Sequence, residues 1–201
     1  MNADTLLAFI RFHAWANDRI LTMAAGMSND LFRATGKFDH DSAFHTLRHL
    51  VDVDWSWREF CFGNHVGETY VWDHGFVLDD LPAIHAFCLE EDMRLRNYVE
   101  SLDDTALSES LAIGADFAVP RWLILAHVVN HGTQHRSEVA RYLTECGHSP
   151  GNLDLVDALA LRWPGDPDDS ASRRGRLERL SAGGWLFYDC RSGALRNADE
   201  Q

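Results

Sequence analysis

Apolar positions set at helical spacing account for most of the chain. From Thr5 to about Met23 the series Leu6, Ile10, Phe12, His13, Ala16, Ile20 and Met23 forms one apolar side that breaks near Gly26, which predicts a first long helix. Ser28-Asn29-Asp30 looks like the cap of a short helical turn, and "RATGKFDHD" reads as loop because Gly, Asp and Lys replace the apolar repeat. Ser42 is suited to cap a second helix running to about Phe62 and stopped by Gly63-Asn64. "GNHVGETYVWDHGFVLDD" has scattered glycines and no single period, so it predicts a long crossover whose aromatics could cover a pocket. Asp80 caps a third predicted helix with Pro82 in its first turn, ending near Leu102. "ALSESLAIGADFAVP" alternates weakly, as a short hairpin or an irregular link would, before Pro120 opens a fourth helix that Gly147 closes. The pattern predicts an all-α fold, a four-helix bundle with a long crossover between the second and third long helices.

After "SPGNLDLVDALALRW", which reads as a packed terminal segment, the composition turns to Pro, Gly, Asp and Ser in "PGDPDDSASRRGRLERLSAGG", a linker signature. The expected organisation is a four-helix domain over 1–163 and a linker and tail over 164–201. The tail has too few residues to build its own core, so it is expected to be partly disordered or packed on the bundle or a neighbouring subunit.

Charge narrows the partners. With 18 Lys+Arg against 31 Asp+Glu the formal charge is -13, which repels phosphate backbones and argues against nucleic acid. No run approaches the roughly 18 to 20 apolar residues of a membrane span, and no secretory leader is evident, so a cytoplasmic protein without membrane contact is expected. Cys61, Cys88, Cys146 and Cys190 form no CxxC pair, which disfavours a zinc ribbon or a redox dithiol.

The 11 histidines are the unusual feature. In the fourth helix, Ile124, Val128, His131, His135, Val139 and Tyr142 follow alternating steps of four and three, the stripe a bundle helix turns inward. An imidazole in such a slot needs a hydrogen-bond partner or a metal, and two of them one turn apart can chelate one ion. His127 turns about 40° away from His131 if each residue advances about 100°, so it borders the stripe as a neighbour. A third ligand must come from elsewhere, and the second helix offers His45, His49 and Asp52 on one face. Three neutral imidazoles would leave an open coordination position, the pattern of catalytic metal. Zn(II), Ni(II), Co(II) and Fe(II) all accept such ligands, zinc or nickel being the leading expectations. Asp52, Asp54 and Glu138 are candidates to orient ligand rings, without a firm assignment.

The stretches "FHAWANDRIL", "TLRHLVDVDWSW", "HVVNHGTQHRSEVARYL" and "GHSPGNLDLVDAL", in this order over about residues 5–163, resemble the DinB/YfiT-like family of metalloenzymes. The resemblance implies a four-helix bundle, often dimeric, with a divalent metal held by one histidine of the second helix and the HxxxH of the fourth. By motif position these are His49, His131 and His135, so the resemblance selects His49 over His45. Trp15 and Asn17 then fall at packing and helix-contact positions, and Arg136 at a structural or site-edge one. Members include thiol-dependent S-transferases and a mycothiol-dependent isomerase, which implies a small-molecule substrate, a low-molecular-weight thiol co-substrate and a homodimer. On this reading the protein is a metal-dependent thiol S-transferase or related detoxification enzyme, with hydrolysis as a variant and no protein nucleophile required. The alternative is a non-catalytic module, either a metal-stabilised bundle or a sequestering protein in which Trp55, Trp57, Trp72 and Trp122 line an apolar pocket.

Overall fold

A computed structural model describes residues 1–64, 66, 69–114, 116–160, 186–189 and 194–197. The helices are α1 (Ala3–Ala24), α2 (Asn29–Phe32), α3 (Ala43–Cys61), α4 (Leu81–Glu100), α5 (Asp104–Ser108), α6 (Arg121–Glu145) and α7 (Leu155–Ala160), with a 3-10 turn at Val71–His74. Side-chain oxygens start them where the sequence suggests. Ser42 accepts from His45 N (3.2 Å) at α3 and Asp80 from Ala83 N (2.8 Å) at α4, each satisfying a backbone donor that the first turn leaves free. Asp103, accepting from Ala106 N, starts the short α5, which the weak alternation there did not announce. Gly147 takes φ +84° just past α6, the left-handed conformation that ends a helix without Cβ strain. The link before α6 is a hairpin, β1 (Ser110–Ala112) antiparallel to β2 (Ala118–Pro120), with Leu111 opposite Val119.

The fold is all-α, a bundle of α1, α3, α4 and α6. The helix α1 packs against α4 and α6, and α3 packs against the same two. Their core residues fall into two clusters. One gathers Ile20 and Ala24 of α1, Leu47 and Leu50 of α3, Ile84 and Phe87 of α4, and Val139 and Leu143 of α6. The other gathers Leu6 and Ile10, Cys61, Leu95 and Val99, and Ile124 and Val128 of the same helices in turn. The order of each helix between the clusters fixes its direction. Helices α3 and α4 both leave the first cluster, so α3 and α4 are parallel and the 62–80 segment must run back along the bundle. The long crossover follows from this, since parallel neighbours cannot be joined by a tight turn.

Between the two apolar clusters lie buried polar residues from all four helices: His13 and Asn17, Asp54 and Arg58, Glu91 and Asp92, and His135 and Arg136. Buried polar groups persist only when they are paired, and this layer holds the candidate site.

The chain divides into Met1–Leu161 and Arg162–Gln201. In the second unit β3 (Leu186–Asp189) pairs antiparallel with β4 (Ala194–Asn197). The expected boundary at 163/164, the linker and most of the tail lie outside the described residues. Among the described residues, no helix is long and apolar enough to cross a membrane.

Candidate metal centre

His131 and His135 stand one turn apart on α6, facing α3, and His49 meets them from that helix. His131 Nε2 is 3.2 Å from His49 Nε2 and 3.1 Å from His135 Nε2. Two nitrogens bound about 2.0–2.1 Å from one tetrahedral ion would stand about 3.3 Å apart, so the spacing is that of ligands sharing a cation. Hydrogen bonding alone satisfies the trio poorly. A neutral imidazole Nε2 is either donor or acceptor, so His131 Nε2 can donate to only one of the two nitrogens facing it. A cation would accept a lone pair from each nitrogen it meets, and on that ground the residues fit a divalent metal.

The electrostatics favour neutral rings. Burial, reinforced by repulsion from neighbouring histidines, lowers the pKa of His49 and of His131 to about 4. Burial also lowers that of His135, opposed by the Glu138 carboxylate. Glu138 Oε1 lies 3.7 Å from His135 Nδ1, on the side away from Nε2, beyond hydrogen-bond distance. His131 Nδ1 and His135 Nδ1 are buried without a hydrogen-bond partner.

Beside the trio, the buried layer forms a second network. Arg136 Nη1 donates to His13 Nδ1 (3.0 Å) and to Asn17 Oδ1 (2.7 Å). Because a guanidinium only donates, the His13 hydrogen sits on Nε2 and is donated to Asp54 Oδ2 at 2.8 Å. Asn17 Nδ2 in turn donates to Asp92 Oδ1 at 3.1 Å. Burial raises the Asp92 pKa to about 6 against the pull of His13, and lowers that of Arg136 to about 10, still cationic at neutral pH. His13, Asp54 and Asp92 offer atoms within 4.8 Å of one another, but Arg136 already supplies the positive charge such a set requires. Asp54 joins the two networks, since its charge raises the proton affinity of both His49 and His131. Gly132, inside the HxxxH, lets this layer close: a Cβ there would lie 2.6 Å from Arg136 Nη1 and 2.6 Å from His13 Cε1.

Other candidates fall outside the centre. His45 turns its Nδ1 to Ser42 Oγ (2.9 Å), and Asp52 accepts from Val71 N (2.7 Å), tying the crossover to α3. His127 is exposed and packs edge-on against Trp57, the neighbour role its angle on the helix suggests. Trp15 packs on Phe12, while Asn17 and Arg136 are members of the buried layer. The four tryptophans have separate surroundings. Trp55 lines a hollow of about 600 Å³ with Glu59, His74 and Arg94, Trp57 meets His127 and Phe60, Trp72 lies under Arg48, and Trp122 packs at the second apolar cluster.

Two histidines at the site have no place in the sequence argument. His13 occupies a core slot of α1 and was read as part of an apolar side, though the reasoning applied to His131, that a core imidazole demands a partner, covers it equally. His40 lies in the loop before α3, where no periodicity could point to it, yet its ring stacks on His49 with centroids 3.9 Å apart.

A family model described as "DinB family" matches residues 1–168. No curated protein matches the chain.

Proposed function

The chain belongs to the DinB family, and from that premise we propose that it is a divalent-metal-dependent enzyme that joins a low-molecular-weight thiol to an electrophilic small molecule, with His49, His131 and His135 as metal ligands. The observation that carries this reading is that His131 Nε2 lies 3.2 Å from His49 Nε2 and 3.1 Å from His135 Nε2. A bound divalent cation lowers the pKa of a thiol or water that it coordinates, which supplies a nucleophile near neutral pH. The depressed proton affinities of His49 and His131 keep their lone pairs free for ligation, and Glu138 faces the outer nitrogen of His135. The protein's own buried thiols are poor nucleophiles, since burial pushes Cys61 up to about 12 and Cys88 well above its ordinary value. On this reading the sulfur nucleophile is that of the co-substrate. A hydrolytic variant would use water at the same position. Zinc or nickel suits the nitrogen donors, with cobalt or iron as alternatives. A cytoplasmic homodimer acting on a small molecule completes the proposal.

Metal analysis of purified wild type and His131→Ala tests the ligand assignment, with loss of metal expected in the variant; equal metal content in both would sink it. A panel of thiols against a generic electrophile then tests the reaction. Turnover with at least one thiol, abolished by His131→Ala, is the expected result. A metal-loaded protein inactive with every thiol would instead favour a binding module, and metal-dependent hydrolysis would favour the water variant.

A further inference from the structure

His40 precedes α3 in a turn that its own backbone holds closed. Asp41 adopts φ +71°, its N–H donates to Phe38 O (2.9 Å), and its carbonyl accepts from Lys37 N (3.2 Å). Ser42 N donates to His40 O (2.9 Å), and Asp41 Oδ1 accepts from Gly36 N (3.0 Å). Phe38 anchors the turn by packing edge-on against Tyr142. The half-buried His40 ring thereby stacks on His49, with centroids 3.9 Å apart and planes at 26°, and presents an edge contact to His135 at 5.0 Å. One ligand-capable atom from each of His40, His49 and His135 lies within 4.8 Å of the others.

Stacking alone would be served by any aromatic ring, whereas His40 also offers a nitrogen within 4.8 Å of one on each of two candidate ligands. We propose that His40 is a fourth imidazole ligand of the metal centre in its resting state, carried by a loop while the other three come from bundle helices. This rests on the metal-centre reading above. A loop ligand is the one an incoming thiol can displace without disturbing the bundle.

The test loads the full-length protein with Co(II), whose visible spectrum reports ligand number and type, and measures Co(II) affinity. His40→Phe keeps a ring for stacking and removes the nitrogen, while His40→Ala removes both; His45→Ala is the control from the same segment. The expected result is a changed spectrum and at least about tenfold weaker binding in both His40 variants, because even residues one shell beyond the ligands alter metal affinity about 10–100-fold, with His45→Ala unchanged. A His40→Phe protein that matches wild type in spectrum and affinity overturns the proposal and leaves the three-histidine centre standing. Wild type that binds no Co(II), or whose spectrum His131→Ala does not alter, overturns both. Helical circular dichroism on each variant excludes unfolding as the cause.

Discussion

Replacing Gly132 by alanine sets a local gain against a tertiary loss. In an exposed helix interior the change would stabilise by about 1 kcal/mol, from helix propensity. Here the added Cβ would stand 2.6 Å from Arg136 Nη1, 2.6 Å from His13 Cε1 and 2.8 Å from His13 Nδ1, closer than such atoms approach. The His13 ring is fully buried, and Arg136 is pinned by His13, Asn17 and Thr133 at 3.0, 2.7 and 3.1 Å. Relief must come from moving one of them. A hydrogen bond to a charged group contributes about 1.5–3 kcal/mol, and a buried charge stripped of its partner costs about 3–5 kcal/mol. After the propensity gain, the net loss is about 0.5–2 kcal/mol if one bond goes and about 2–4 kcal/mol if the layer opens. At about 2–4 °C per kcal/mol for a chain of this size, a 2 kcal/mol loss would lower Tm by about 4–8 °C. Thermal and urea unfolding, followed by helical circular dichroism, would measure it. An alanine variant as stable as wild type, or more stable, would refute the reasoning, because it would mean that the layer relaxes around the methyl at no cost.

Two further outcomes follow from the charges. His49 and His131 fall from 6.5 to about 4 in the folded protein, so as pH drops the unfolded chain takes up protons first. The metal-free protein should therefore lose stability from pH 6.5 down to about 4, whereas metal affinity, which competes only with protons on the folded rings, should stay level to about pH 5 and fall near 4. Affinity that already declines from pH 6.5 in a metal titration would contradict the burial argument. At the Arg58–Glu91 pair, where both side chains are buried and Nη2 donates to Oε2 at 3.0 Å, Arg58→Ala should cost about 3–5 kcal/mol in urea unfolding. The double variant Arg58→Met with Glu91→Leu should recover most of that loss, and equal losses in the two would count against the pair.

Much of the fold is legible along the chain because helix periodicity and capping are local. Ser42 and Asp80 act through neighbours three residues away, and Gly147 ends α6 by its own backbone freedom. The one-turn spacing of His131 and His135 is likewise fixed by the helix that carries them, so a chelating pair could be read before any packing was known. The scattered glycines and the lack of a single period in 62–80 also mark the crossover that parallel α3 and α4 require.

The partners were another matter. His45, His49 and Asp52 share one face of the second predicted helix, and spacing alone left all three open as the third ligand; family resemblance pointed to His49. The tertiary structure places His49 against His131 because α3 and α6 meet at one rotation and one axial register, which no periodicity along a single helix can specify. His45 bonds locally to Ser42 at the start of its own helix, and Asp52 bonds to the crossover backbone. His13, Asp54, Asp92 and Arg136 come from four different helices, and their pairing exists only once the two apolar clusters have set how far each helix slides. His40 depends on a turn closed by backbone hydrogen bonds, a feature without a sequence period. Short-range periodicity and capping along the chain set the four long helices and the buried face of each; which polar atoms meet at the centre follows only from how separate helices are rotated and aligned against one another.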